Sequence, residues 1–227
     1  MNKYTLEEIR QTQKGKGFWL KLSNELASQL IYRIQKIELH PNWFTFVSLV
    51  FGVLFGLFLL NGYLLLSALF INLLYLFDNL DGQWARVKKL TSSFGAMFDS
   101  LVDGWNISIV VFAMGVYLYH QTEDLLYLYL TVLFFILSFL DFALEKNNLL
   151  ESSEKESSTE TLSLQERSSR LKPLILMIDA ITTYDKWILV ITMGLIFNLL
   201  HLSLFYIIAV RLLSYSVKLF KLYLKFR

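Results

Sequence analysis

Four aspartates lie close together in a chain that is otherwise strongly apolar. They are Asp78, Asp81, Asp99 and Asp103. Carboxylates at membrane depth are costly, so they usually face a polar cavity and have a function there. At about 100° per residue, the first two share one helical face and the last two share a face of the next helix. Two antiparallel helices joined by a short turn would therefore bring all four acids together.

A cluster of four acids requires compensating cations, because neighbouring carboxylates cannot all stay ionised without them. All-oxygen ligands favour hard metals, so we expect Mg²⁺ or Mn²⁺, with Ca²⁺ as an alternative. A pair of such ions roughly 3.5–4 Å apart is common where phosphorus undergoes substitution, and a carboxylate left freer than the others can act as general base. The acids therefore predict metal-assisted chemistry on phosphate. The alternative is a set of surface acids paired with Arg86, Lys88 and Lys89.

Two glycines fall inside the helices that carry these acids. Gly82 and Gly95 each cost about 1 kcal/mol relative to alanine in a helix interior. Their expected use is a close approach of the backbone to a ligand, as in a nucleotide pocket. The small side chain of Ala85 would serve the same end.

These residues form one continuous pattern, which reads D-x2-D-G-x2-A-R-x8-G-x3-D-x3-D. At every fixed position it resembles the signature of the CDP-alcohol phosphotransferase family. The family reaction displaces CMP from a CDP-linked alcohol with a second alcohol and makes a phosphodiester. The pattern covers 26 residues, so the rest of the chain needs separate arguments.

The resemblance implies a role for each residue of the pattern. Asp78, Asp81 and Asp99 are expected to be metal ligands, and Asp103 is expected to be the general base as well as a contact of the second metal. Arg86 would meet the diphosphate of the nucleotide. Residues that the resemblance assigns to the CDP pocket are Asn42, Thr45, Gly82, Ala85, Arg86, Ser92 and Gly95. For Asn42 and Thr45, helix capping is the alternative.

The composition indicates a helical membrane protein. Of the 227 residues, 55% are hydrophobic, and the mean hydropathy is +0.48, which is too apolar for a typical soluble domain. The absence of cysteine excludes disulfides, thiol chemistry and cysteine-based zinc sites. The first apolar run follows a long charged start, so no cleavable signal peptide is expected.

The apolar runs predict an all-α integral membrane protein with six transmembrane helices. The predicted spans are 42–60, 63–77 (continuing through the motif to 88), 94–119, 125–144, 174–200 and 202–223. The fifth run contains Asp179, Asp185 and Lys186, so a short interfacial helix is expected before its true span.

The remaining segments give the predicted domain organisation. An N-terminal segment of residues 1–40 contains an amphipathic helix at 18–37, which is typical of an interfacial location. The membrane domain covers 41–227 and includes a polar loop at 146–172, which is rich in Ser and Glu.

The basic residues predict the orientation in the membrane. They concentrate in the N-terminal segment, the turn at 86–93, the 146–172 loop and the C-terminal tail, whereas the other three turns contain none. By the positive-inside rule, both termini and the four acids then face the cytoplasm of a cell whose cytoplasmic membrane holds the chain.

The acceptor site has weaker candidates in the later helices. Asp141 and Glu145 could contact an acceptor, with snorkelling to the interface or pairing with Lys146 as the alternative. Basic residues that could bind a phosphate group on an acceptor are Arg170, Lys172, Lys186, Arg211 and Lys218. Ordinary positive-inside residues would follow the same pattern.

Three functions remain in competition at this point. The first is a phosphotransferase with CDP-diacylglycerol as donor and a small polar alcohol or its phosphate as acceptor. The second has a soluble CDP-alcohol as donor and a lipid or a polar phosphoalcohol as acceptor. The third is a cation transporter with the Asp cluster as its ion site, although the acids lie at one end of the helices and not at the midplane. No nucleic-acid partner is expected, and a homodimer is compatible with the apolar spans.

Overall fold

The computed structural model describes residues 4–13, 18–154 and 184–226. All regular secondary structure in these residues is helical, so the predicted all-α class is confirmed. The helices are α1 (Leu6–Arg10), α2 (Phe18–Ile34), α3 (Asn42–Leu60), α4 (Leu64–Lys88), α5 (Ser93–Thr122), α6 (Leu126–Glu154), α7 (Tyr184–Ile196) and α8 (Leu200–Phe226).

Five of the described helices are long and apolar enough to cross a membrane. They are α3, α4, α5, the Leu126–Ala143 part of α6 and the Leu200–Phe220 part of α8. Helix α7 has 13 residues, about 20 Å at 1.5 Å per residue, which is shorter than a bilayer core of about 30 Å. The first part of the predicted fifth span, 174–183, lies outside the described residues. The protein is therefore a multi-pass membrane protein, and the count of six spans stays a prediction.

The helix bounds refine the predicted segments. The second span and the first half of the motif form one uninterrupted helix, α4, as the sequence predicts. Helix α6 continues to Glu154, so the segment predicted as a polar loop begins as helix, and its remainder, 155–172, lies outside the described residues. The expected interfacial helix around Asp179 also lies outside them. The interfacial location of α2 stays a prediction.

Most of the apolar core lies between the spanning helices. Phe55, Ile71, Met114 and Leu204 are fully buried and belong to one cluster that joins α3, α4, α5 and α8. Helix α3 packs against both α4 and α5. It therefore supports both helices that carry the motif.

A second apolar cluster lies where α4 ends and α5 begins, which we call the motif end of the bundle. Ile9 from α1 and Ile31 from α2 are fully buried there against Leu80 and Trp84 of α4. The Trp84 indole N–H also donates a hydrogen bond to the Leu39 carbonyl at 2.9 Å. The N-terminal helices thus pack onto the same stretch of α4 that carries the acids.

Candidate functional site

A four-residue turn, 89–92, separates the two halves of the motif. Helix α4 ends because Lys89 adopts a left-handed conformation with φ 57°, a common way to terminate a helix. Ser92 caps the N-terminus of α5: its hydroxyl accepts a hydrogen bond from the Gly95 amide at 3.0 Å and so satisfies a free N–H of the first turn. These two local signals return the chain so that the acids of α5 meet the acids of α4.

The four aspartates meet between α4 and α5. One carboxylate oxygen from each of Asp78, Asp99 and Asp103 lies within 4.8 Å of the others. Asp81 is buried, contacts Asp99 and accepts a hydrogen bond from the Thr45 hydroxyl of α3. Helical spacing alone predicts this convergence, and the structure has it.

The cluster has the donor set of a divalent-cation site. Among the described residues, no Lys or Arg lies within ion-pair distance of any of the four acids. The Oδ1 atom of Asp103 is buried and has no hydrogen-bond partner. Carboxylate oxygens in such close contact are compensated best by a hard cation. The residues present therefore fit Mg²⁺ or Mn²⁺.

A cavity of about 170 Å³ opens beside the acid cluster. Asp81 and Asp99 line it, whereas Asp78 and Asp103 are not among its lining residues. The lining includes every residue that the motif resemblance assigns to a CDP pocket, namely Asn42, Thr45, Gly82, Ala85, Arg86, Ser92 and Gly95. Ligand pockets commonly measure 300–1,000 Å³, so this cavity suits the polar part of a ligand.

The two motif glycines are explained by contacts within the protein. A Cβ atom at Gly82 would lie 3.1 Å from Nη1 of Arg86, and one at Gly95 would lie 3.1 Å from the Ser92 hydroxyl and 3.5 Å from Oδ1 of Asn42. The close approach expected from the sequence is therefore made by pocket side chains. Glycine at position 82 gives the guanidinium of Arg86 room to lie over the helix at the pocket wall.

Comparison with known proteins decides the family. The family model for CDP-alcohol phosphatidyltransferase matches residues 38–197. The chain belongs to the CDP-alcohol phosphatidyltransferase family. In this member of the family, α1 and the whole of α2 precede the matched region.

A relative from Aquifex aeolicus (strain VF5) is 34% identical to this CDP-alcohol phosphatidyltransferase homologue over 93 residues. The matched stretch is 41% of this chain and 47% of the relative, so the chain spans about half the length of that protein. The relative is described as an uncharacterized protein. It therefore adds similarity and no activity.

The structure also adds residues of α3 and α5 that the sequence reasoning missed. The hydroxyl of Ser48 donates to the Thr45 carbonyl at 2.7 Å, and the amide of Asn106 donates to the Ser48 hydroxyl at 3.4 Å. Asn106 is fully buried and lies three residues after Asp103, on the same face of α5. That spacing was the available signal. The chain of contacts ties α5 to the Thr45–Asp81 pair through α3.

The acceptor candidates of the later helices are partly paired with each other. Arg211 and Lys218 of α8 lie 3.1 Å and 3.2 Å from the carboxylate of Asp141 in α6, which is buried. The pairing of Asp141 or Glu145 with Lys146 stays a prediction, because the side chain of Lys146 lies outside the described residues. The structure shows that α8, which packs against α6, brings two cations to Asp141. Lys186 is partly buried in α7. Arg170 and Lys172 lie outside the described residues, as does the side chain of Glu145.

Proposed function

We propose that the protein is a membrane phosphotransferase that moves a substituted phosphate from a CDP-linked alcohol to an acceptor hydroxyl and releases CMP. The observation that carries the proposal is the position of the cavity, which adjoins four converging carboxylates and is lined by Arg86 and the motif glycines. Membership of the family supports the same reaction class. A position at the helix ends favours this enzyme over a transporter, whose ion site is expected near the midplane.

The four acids are proposed to hold two divalent cations, Mg²⁺ or Mn²⁺. Asp78, Asp81 and Asp99 are the proposed ligands, and Asp103 is proposed to contribute to the second ion. When bound, such ions neutralise the charge of the diphosphate and stabilise the leaving CMP. The Thr45 hydroxyl fixes the carboxylate of Asp81 by a hydrogen bond, as supporting residues of metal ligands generally do.

Asp103 is the proposed general base. Its buried Oδ1 has no hydrogen-bond partner, so this atom is free to accept the proton of the acceptor hydroxyl. The oxygen of the acceptor then forms a bond to the transferred phosphorus while the bond from phosphorus to the CMP oxygen breaks. The proton remains on Asp103 until it passes to solvent.

The cavity residues are proposed to bind the nucleotide end of the donor. Arg86 supplies a guanidinium for the diphosphate, which suits the fork of arginine donors. The cavity wall at Gly82, Ala85 and Gly95 carries no side chain larger than a methyl group, which leaves room for the ligand. Asn42, Thr45 and Ser92 add polar groups at the wall formed by α3 and the turn between α4 and α5.

The leading donor is CDP-diacylglycerol, with a small polar alcohol or its phosphate as acceptor in phospholipid synthesis. The alternative is a soluble CDP-alcohol with a lipid or polar phosphoalcohol acceptor. One substrate is a lipid in the leading version and in the alternative with a lipid acceptor, and in every version the nucleotide end of the donor meets the cavity. We place the site and both termini on the cytoplasmic side of the cell membrane. The reason is that basic residues concentrate in the N-terminal segment, the turn at 86–93 and the C-terminal tail, and such residues favour the cytoplasmic side.

One assay tests the reaction and its substrates. The purified chain in lipid nanodiscs receives Mn²⁺ or Mg²⁺, one of a panel of CDP-alcohols and one of a panel of acceptors, and released CMP is measured. We expect CMP only when donor, acceptor and metal are all present. The absence of CMP from every combination, in protein that binds metal, would refute the enzyme proposal. A soluble CDP-alcohol as the active donor would select the alternative.

A further inference from the structure

The N-terminal arm, residues 4–13, lies against the helix that carries Arg86. Its anchor is Ile9, which is fully buried against Leu80, Trp84 and Val87 of α4. The arm ends beside the cavity and precedes the region that the family model matches, 38–197. The arm therefore lies outside the region that the family model matches.

A buried glutamine joins the arm to α4 and α2. The side-chain amide of Gln83 is fully buried and donates to the Ile9 carbonyl at 3.3 Å and to the Ser28 hydroxyl at 2.7 Å. The amide of Gln13 donates to the same hydroxyl at 2.9 Å. Ser28 thus links the end of the arm to a residue that precedes Arg86 by almost one helical turn.

The arm also contacts Arg86 directly. Nε of Arg86 donates a hydrogen bond to the carbonyl oxygen of Thr12 at 2.9 Å. On the other side of the guanidinium, Nη1 lies over Gly82, where a Cβ would be 3.1 Å away. Both Gly82 and Arg86 line the cavity. The arm holds Nε and so restrains the plane of the guanidinium, whose terminal nitrogens have no hydrogen bond to the described residues.

We infer that the N-terminal arm is a positioning element of the nucleotide site, which holds Arg86 in the orientation that receives a diphosphate. The inference rests on the proposed function of the cavity. A flexible arginine loses rotamer freedom when it binds a ligand, and a contact that removes this freedom in advance improves affinity. The carbonyl of Thr12 accepts from Nε of Arg86. This contact does not use the two terminal nitrogens, which are the ones that would form a two-point contact with a phosphate.

The test compares the affinity of CDP, with Mg²⁺ present, for the full chain and for a variant that lacks residues 1–13. Loss of a hydrogen bond to a charged group predicts about tenfold weaker CDP binding and a raised KM for the donor with a smaller change in kcat. A peptide with the sequence of residues 1–17 should restore the affinity at high concentration, whereas the same peptide with Ile9→Asp should not. An unchanged affinity in a folded truncated chain would overturn the inference.

A double-variant comparison separates positioning from general stabilisation. Arg86→Ala should weaken CDP binding in the full chain, and removal of the arm should then cause no further loss, because the arm acts through this guanidinium. Arg10→Ala removes the exposed contact between Arg10 and Glu25 and serves as the matched control with the arm in place. Equal losses on truncation with and without Arg86 would assign the arm a structural role only.

Gln83→Ala in the full chain keeps the test decisive if the truncated chain does not fold. It removes the hydrogen bonds from Gln83 to the Ile9 carbonyl and to the Ser28 hydroxyl, which keeps only its bond from Gln13. We therefore expect CDP binding about threefold weaker, with no effect in the Arg86→Ala background. An affinity equal to that of the unaltered chain would contradict the inference. If the full chain itself binds no CDP, the proposed function fails. If the full chain binds CDP and the variants bind it equally well, the inference about the arm is refuted and the proposed function is not.

Discussion

Asp103 differs from the other acids of the site in one respect. Its Oδ1 atom is buried and has no hydrogen-bond partner, whereas Asp81 is bonded to Thr45. An oxygen in that state is suited to accept a proton, and asparagine at the same position has nearly the same shape without that capacity.

Asp103→Asn should therefore lower turnover by a factor of about 10²–10⁴, the usual contribution of a general base. CDP binding should change little, because the cavity lies on the Asp81 and Asp99 side of the cluster. CMP release and CDP affinity are measured on the same preparation, with Glu123→Gln in a distant turn as control. Normal turnover in Asp103→Asn would show that another group takes the proton.

Two glycines of α4 and α5 form a matched pair for a second test. At Gly82 an added methyl group meets Nη1 of Arg86 at 3.1 Å, whereas at Gly104 it meets nothing within 4 Å. Gly82→Ala should displace the guanidinium and raise the KM for the donor severalfold. Gly104→Ala should leave both KM and kcat near the original values, since both changes carry the same helix propensity. Equal kinetics of the two variants would show that the space over Gly82 has no role.

At this scale helical spacing is enough to predict that the acids converge, whereas the pocket residues are what the resemblance to the family implies. The sequence cannot predict Ser48 and Asn106, whose contact depends on the packing of α3 against α5. The sequence also predicts a ligand next to Gly82, where the structure has the guanidinium of Arg86. The path of a long arginine side chain is set by its tertiary partners. The contact between Thr12 and Arg86 spans 74 residues and has no local signature.

At the scale of helices, α6 and α8 are joined by a charge cluster inside the membrane region. The carboxylate of Asp141 is 4% exposed and lies within 3.2 Å of both Arg211 and Lys218. Arg211 also lies over the ring of Phe134, 5.8 Å from its centre. Removal of the shared anion would leave Arg211, which is mostly buried, without this partner, whereas the exposed Lys218 can turn to solvent.

Asp141→Asn should consequently lower the free energy of unfolding by about 3 kcal/mol. The measurement is a denaturation curve in detergent or lipid nanodiscs. Glu25→Gln, which removes the exposed partner of Arg10, is the control and should change stability little, because surface pairs contribute weakly. If Asp141→Asn and Glu25→Gln were equally stable, the α6–α8 cluster would not support the bundle.

Helix existence was predictable from the apolar runs, and the uninterrupted α4 followed from the match between its apolar and acidic periodicity. The residues at which the helices begin and end were less predictable. Helix α6 passes beyond the apolar run into the polar segment and is described as far as Glu154, since Glu, Lys and Leu are good helix formers with or without a membrane. The short α7 has the apolarity of a span and less than the length of one.

At the scale of the whole molecule, the orientation in the membrane is open to a direct test. The chain contains no cysteine, so a single introduced cysteine reports its own side without background. Three exposed positions suit the test: Glu7 in the arm, and Asn61 after α3 and Gln121 in the last helical turn of α5, both at the opposite end. In sealed cells, Asn61→Cys and Gln121→Cys should react with an impermeant maleimide, whereas Glu7→Cys should react only after lysis. The reverse pattern would place the acids outside the cell.

The multi-pass architecture follows from composition alone, because long apolar helices have few other stable environments. The packing of the N-terminal segment, in contrast, does not follow from composition. The sequence predicts an amphipathic helix there, but only the structure brings Ile9 and Ile31 into one cluster with Trp84. An interfacial helix and a helix docked on the bundle have the same apolar periodicity, so tertiary packing decides between them.

The contact from the arm to Arg86 is made by a main-chain carbonyl, and this has a consequence for how the site can vary between related proteins. Every amino acid offers that carbonyl, so the side chain at position 12 is free to drift while the contact persists. Selection would act on the length of the arm and on its anchor, Ile9. A family-wide comparison of residue identity would overlook such a contact, whereas a comparison of arm length and anchor spacing would find it.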